Sequence, residues 1–101
     1  MWYTLDENNK PVASSAIEYS RWMEQNPTKK ALKQEYIGDI YVSTVFLGLD
    51  HSWPEDESKP LLWETMIFGG EHDQFMDRYT SVEDALEGHQ KAIDLVNSKN
   101  V

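Results

Sequence analysis

The chain has 101 residues, no cysteine and a formal net charge of −9 from 18 acidic and 9 basic residues. The lack of cysteine excludes disulfides, thiolate metal sites and cysteine nucleophiles, and it is typical of proteins from a reducing cytosol. A hydrophobic content of 40% predicts one folded cytoplasmic domain over residues 1–101, and no apolar run approaches the length of a membrane span or a signal peptide.

The acidic charge is concentrated in the middle of the chain. Residues 35–90 hold 13 acidic residues but only Lys59 and Arg78, which gives this stretch a net charge of −11. Such a field repels phosphates and anionic lipids. We therefore expect no nucleic-acid partner and no membrane partner. The same negative charge would attract a basic protein surface. The alternative is that the acidity only keeps the protein soluble.

The first third of the chain predicts two short strands and a helix. Residues 1–5 and 12–13 are strand-like and flank a polar turn. A helix is predicted over 15–26, because Ser15 and Glu18 have the spacing of a capping box and Pro27 disfavours helical geometry in the residue before it.

The remainder predicts a sheet followed by a second helix. Residues 40–49 are rich in β-branched and aromatic side chains, and their simplest partner is the antiparallel strand 61–68. The last helix is predicted over 81–97, with Ser81 or Thr80 as its cap and a frayed tail at 97–101. The other predictions are a basic connection at 29–33, a short strand at 35–37, polar loops at 50–60 and 71–76, and an edge strand at 78–79.

This order, β-α-β-β-β-α, predicts an α+β fold with one antiparallel sheet of three to five strands and both helices packed on one face. The strand at 40–49 is apolar on both faces, so two helices on one side leave the other side uncovered. Exposed apolar patches on soluble proteins usually mark contacts. We therefore expect this surface to bind a partner or to form a homodimer.

Four residues are candidates for one buried polar cluster. His89 lies on the apolar stripe of the last helix, and Glu64 lies among apolar residues of a strand. Each needs a partner when buried, and Arg78 and Tyr79 are near in sequence. A pairing of His89 with Glu64 or Tyr79 is predicted. The cluster is interpreted first as a packing network, then as a ligand or catalytic pocket, and last as a metal site.

Other candidate residues lie in loops. His51, His72 and Asp73 follow strand ends and are weak candidates for metal ligands, because the spacings typical of metal motifs are missing. No motif indicates a cofactor or a catalytic nucleophile. A second candidate is a protein-binding surface built from loop aromatic residues and acids. Its members are Trp53, Glu55, Asp56, Glu57 and Phe75.

Several segments resemble a known group of proteins. They are VSTVFLGLDH at 42–51, LLWETMIFGG at 61–70, RYT at 78–80 and GH at 88–89. In this order they resemble a family of small proteins of tailed bacteriophages and prophages that has no assigned activity. The resemblance implies a phage or prophage origin and the bacterial cytosol as compartment, and it implies no mechanism.

The leading functional hypothesis is a non-enzymatic phage accessory protein that binds a host or phage protein, such as a host regulator or defence component. It depends on the small size, the acidic middle, the lack of catalytic motifs and the resemblance to phage proteins. One alternative is a small metal- or ligand-dependent enzyme built on five residues, namely His51, Glu64, His72, Asp73 and His89. Another is a homo-oligomeric structural or assembly component.

Overall fold

A computed structural model describes residues 1–52 and 58–98 of the chain. It contains two helices and two antiparallel sheets, which confirms the predicted α+β class. In chain order the elements are β1 Trp2–Leu5, β2 Pro11–Ser14, α1 Ala16–Gln25, β3 Ala31–Ile37, β4 Ile40–Phe46, β5 Trp63–Phe68, β6 Met76–Tyr79 and α2 Val82–Asn97.

The first two strands form a hairpin of their own. β1 and β2 pair from Trp2↔Ser14 to Leu5↔Pro11. The Asp6 carboxylate closes the turn by accepting hydrogen bonds from the backbone amides of Asn8 and Lys10 at 2.8 and 3.0 Å. Backbone hydrogen bonds between β1 and the segment after β4 join this hairpin to the rest of the molecule.

Helix α1 begins where the sequence predicts. The Ser15 hydroxyl accepts from the Glu18 amide at 3.1 Å, and the Glu18 carboxylate accepts from the Ser15 amide at 2.8 Å, so the capping box is confirmed. The helix packs on β1. Its Trp22 ring reaches the main sheet, with its centroid 5.8 Å from that of Phe46.

The main sheet has four strands in the order β3-β4-β5-β6, all antiparallel. The predicted central pair is confirmed, with Thr44 opposite Thr65. The prediction of a basic connection at 29–33 is partly wrong, because β3 already begins at Ala31 and continues through a bulge before Lys33. β4 ends at Phe46, three residues earlier than predicted, since Leu49 forms a bridge with Trp2 instead.

Helix α2 covers one face of this sheet. The Ser81 hydroxyl caps it by accepting from the Asp84 amide at 3.1 Å. Its buried residues Ala92 and Ile93 pack with Val42 and Ile67 of the two central strands. Gly88 allows α2 to lie close to β6, because a Cβ at this position would overlap the Tyr79 ring. Neither helix of the described chain is long and apolar enough to cross a membrane.

Helix α2 covers one face of the main sheet and leaves the other face without a helix from the described part of the chain. We call the face under α2 the inner face and the other one the open face. Val42, Thr44 and Phe46 of β4 lie on the inner face with no exposed surface. On β5 the inner residues are Trp63, Thr65 and Ile67, so Glu64, Met66 and Phe68 lie on the open face. No helix among residues 1–52 and 58–98 packs on the open face.

Candidate functional site

A chain of polar groups crosses the inner face under α2. His89 has no exposed surface. Its Nδ1 lies 2.7 Å from Thr44 Oγ1, and its Nε2 lies 2.9 Å from Glu35 Oε1 on β3. Thr44 Oγ1 in turn lies 2.5 Å from Thr65 Oγ1 on the next strand. Glu35, His89, Thr44 and Thr65 therefore form one continuous series of hydrogen bonds, which we call the inner polar chain.

The chemistry of Glu35 sets the direction of every bond in the inner polar chain. An ionised carboxylate only accepts, so His89 Nε2 carries the proton and donates to Glu35. Nδ1 of the neutral ring is then an acceptor, and the Thr44 hydroxyl donates to it. The Thr44 oxygen is left to accept from Thr65. Burial lowers the pKa of His89, and this outweighs the opposing effect of the Glu35 carboxylate.

The Tyr79 ring lies beside the inner polar chain without completing it. Its hydroxyl is buried and forms no hydrogen bond of standard geometry with a described residue. Burial raises the pKa of Tyr79, and the neighbouring Thr65 hydroxyl acts in the opposite direction. The ring packs against Gly88 of α2. Tyr79 therefore contributes packing between β6 and α2.

The predicted single polar cluster is wrong, and two separate groups replace it. His89 is buried as predicted, but its partners are Glu35 and Thr44, not Glu64 or Tyr79. Because successive strand residues point to opposite faces, Glu64 lies on the open face while its neighbour Thr65 lies inside. Glu64 pairs there with Arg78 across the strands, with Oε2 2.9 Å from Nε.

The weak metal candidates lie at opposite ends of the sheet. His51 follows the segment after β4, whereas His72 and Asp73 lie in the turn after β5, which runs antiparallel to β4. The Asp73 carboxylate accepts from the Gly69 amide at 2.7 Å and so closes its own turn. Within the described ranges, no three His, Asp or Glu side chains are grouped to hold a metal ion.

Asp50, beside His51, has a local structural role. Its Oδ1 accepts from the backbone amides of Ser52 and Leu61 at 2.8 and 2.9 Å, which fixes the two ends of the loop between β4 and β5. Burial favours a raised pKa for Asp50, but these hydrogen bonds outweigh it and lower the pKa. The Asp50 carboxylate therefore anchors the loop between β4 and β5.

The predicted loop surface is only partly described. Trp53, Glu55, Asp56 and Glu57 lie outside the described residues. Phe75 lies in the turn before β6, and its side chain is 37% exposed. It adjoins Met76, the first residue of β6, which is 47% exposed. Phe75 is therefore an exposed aromatic residue of the β5–β6 turn, and its backbone oxygen accepts from the amide of Ile67, a residue of the inner face.

An aromatic row crosses the open face at one end of the sheet. The Tyr36 and Tyr41 ring centroids lie 4.7 Å apart, and those of Tyr41 and Phe68 lie 6.0 Å apart. Tyr36, on the edge strand β3, is 74% exposed. The sequence prediction anticipated an uncovered apolar face but missed Tyr36. The signal was the alternation of Gln34 and Tyr36 with the inner residue Glu35.

The open face continues away from the aromatic row as an apolar surface. Met66 lies opposite Met76 in the pairing of β5 and β6. A shallow depression of about 110 Å³ opens here. It is lined by Ser43, Val45, Glu64, Met66 and Phe68. The ion pair of Glu64 and Arg78 borders it, so this part of the open face combines an apolar floor with a polar margin.

The comparisons with known proteins give no indication of function. No protein-family model, curated protein or solved structure matches the chain. The resemblance to phage and prophage proteins stays a prediction. The open face, with its aromatic row, is the candidate functional site.

Proposed function

We propose that this chain is a non-enzymatic phage or prophage accessory protein that acts by binding a protein in the bacterial cytosol through the open face. The observation that carries the proposal is the aromatic row of Tyr36, Tyr41 and Phe68 on a sheet face that no described helix covers. A host regulator or a defence component is the partner class that a phage accessory role favours.

The composition of the open face supports a role in protein binding. Tyrosine, phenylalanine and methionine are enriched in protein interfaces, where rigid aromatic rings provide much of the contact area. Tyr36, Phe68 and Met76 are 74, 39 and 47% exposed on this face. Their exposure to water is unfavourable in the free protein, and a partner that covers them removes it.

The inner polar chain, on the other face of the sheet, also supports a non-enzymatic role. His89 is the residue best suited to acid–base chemistry, yet it has no exposed surface and both ring nitrogens have partners within the fold. No atom of its ring is left to contact a substrate. We assign the inner polar chain to the packing of α2 on the sheet.

Site-specific photo-crosslinking tests the proposed function. A photoreactive phenylalanine derivative replaces Tyr36 or Met76 on the open face, or Ile17 or Leu86 on the helices, in cells of the bacterial host. Ile17 and Leu86 are matched controls, because they are apolar and 66 and 44% exposed. We expect one discrete crosslinked protein from the open-face positions and none from the helix positions.

Two outcomes oppose this proposal. The same crosslinked products from all four positions, or none from Tyr36 and Met76, would remove the open face as a protein-binding surface. A crosslinked species with twice the mass of the chain, together with a dimer mass in light scattering, would instead support the homo-oligomeric alternative. Light scattering at about 100 µM detects a dimer with a dissociation constant near 10 µM.

A further inference from the structure

We infer that the partner carries a basic segment, and that one of its arginine side chains stacks on the aromatic row beside the carboxylates of the adjoining turns. This inference rests on the proposed function, because it names the chemistry of the partner that the open face binds. It uses the position of the row at one end of the sheet, the charge of that end and the exposure of Tyr36.

The antiparallel order brings two turns to the same end of the sheet as the aromatic row. Tyr41 is the second residue of β4, and Phe68 is the last residue of β5. The β3–β4 turn at 38–39 and the β5–β6 turn at 69–75 therefore flank the row. Gly69 lies beside the backbone of Asp39, which shows that the two turns are in contact.

These turns give the end of the sheet a strongly negative charge. They contain Asp39, Glu71 and Asp73 and no lysine or arginine. Among residues 1–52 and 58–98, none of these three carboxylates forms an ion pair. The last turn of α2, whose Leu95 and Val96 pack over this end, has no basic residue to offset the negative end of its helix dipole.

An arginine side chain matches this combination of surfaces. The face of a tyrosine ring attracts a cation, and a planar guanidinium stacks on it while its N–H groups bind carboxylates. Tyr36 is 74% exposed as a residue, so the side of its ring that does not pack on Tyr41 is open to such contact. Phosphate-bearing ligands are repelled by the same carboxylates. A second copy of the chain brings a net charge of −9, which opposes its approach.

The test titrates ¹⁵N-labelled protein with acetylated, amidated hexa-arginine and follows the backbone amide resonances. We expect the largest changes at Tyr36, at 39–41 and at 68–73. Hexa-lysine should bind more weakly. Tyr36→Ser should weaken hexa-arginine binding about three- to fivefold, the range of one exposed cation–π contact, while Tyr36→Phe retains it.

Matched charge variants separate a local site from general attraction. Asp39→Asn with Glu71→Gln removes two carboxylates beside the aromatic row. Glu7→Gln with Glu24→Gln removes two exposed carboxylates from the hairpin turn and from α1, with the same change in net charge. We expect the first pair to weaken binding about three- to fivefold, the range of two exposed ion pairs, and the second pair to leave it within about twofold.

The outcomes distinguish this inference from the proposed function. Equal weakening by both charge pairs, or changes spread over all acidic surfaces, would overturn the inference while the crosslinking result still stands. Concentration-dependent changes without peptide, at the aromatic row and at 29–33, would identify a second copy as the occupant and also overturn it. Local peptide binding without any open-face crosslink would leave the inferred chemistry supported and contradict the proposed function.

Discussion

Replacement of Thr44 by valine tests the position of Thr44 in the inner polar chain, between His89 and Thr65. Valine keeps the shape of threonine but removes the hydroxyl, and Thr44 has no exposed surface. This hydroxyl donates to His89 and accepts from Thr65, so its loss leaves two buried groups without a partner. At about 1–3 kcal/mol for each of the two unsatisfied groups, we expect a loss of about 2–6 kcal/mol in the free energy of unfolding.

Thr65→Val is the matched comparison, because Thr65 is equally buried but ends the series. Its removal costs one neutral hydrogen bond, about 0.5–1.5 kcal/mol, since Thr44 still donates to His89. The double variant should lose less than the sum of the two single variants, because Thr65 is no longer left unpaired.

Urea unfolding followed by tryptophan fluorescence measures these differences, since Trp63 is 1% exposed in the folded state. Thr44→Ser keeps the hydroxyl and loses only the methyl group, so it shows the cost of changed packing at this position while the hydrogen bonds remain. Equal losses for Thr44→Val and Thr65→Val, or strict additivity in the double variant, would refute the series in which Thr44 links His89 to Thr65.

Three further predictions concern the same elements. Because the pKa of His89 is lowered from its ordinary 6.5, the unfolded chain takes up the proton at a higher pH than the folded protein does. The contribution of His89 to stability should therefore be full above pH 6.5 and fall below it by up to about 1.4 kcal/mol per pH unit. An NMR titration that finds a raised pKa or an Nδ1–H tautomer would contradict this. Gly88→Ala should lower the melting temperature through overlap with the Tyr79 ring, at about 1–3 kcal/mol, and the loss should vanish in a Tyr79→Leu background if that ring is its cause. Arg78→Met should destabilise by about 1–2 kcal/mol and more than Glu64→Gln, because it leaves a carboxylate that is only 14% exposed without its ion pair; the reverse order in chemical denaturation would count against this pairing.

Local signals in the sequence predict the helices and the central strand pair. The caps at Ser15 and Ser81 depend on residues three positions away, so they are visible in the sequence alone. The antiparallel pairing of β4 and β5 follows from two β-rich segments separated by a polar loop. The uncovered sheet face was also predictable, because β4 carries apolar residues on both sides.

The partners of buried polar groups were not predictable from local pattern. β5 alternates Glu64 and Thr65, and either could face a helix; tertiary packing decides in favour of Thr65, which is shielded under α2. The partner of His89 is Glu35, which lies 54 residues earlier in the sequence. Glu35 belongs to β3, and the basic residues at the start of that strand suggested a loop. Tyr36 was missed for the same reason, since the face of a strand is defined only once its neighbour is known.

The affinity of the crosslinked partner for surface variants tests the central claim most directly. The partner identified at the open face is purified, and its dissociation constant is measured for the wild type, for Tyr36→Ser with Phe68→Ser, and for the control Ile17→Ser with Leu86→Ser. If the open face is the binding surface, loss of two aromatic contacts should weaken binding by more than about tenfold, or 1.4 kcal/mol, and the control should stay within about twofold. Equal affinities for the open-face variant and the wild type, in a protein that remains folded, would contradict the account.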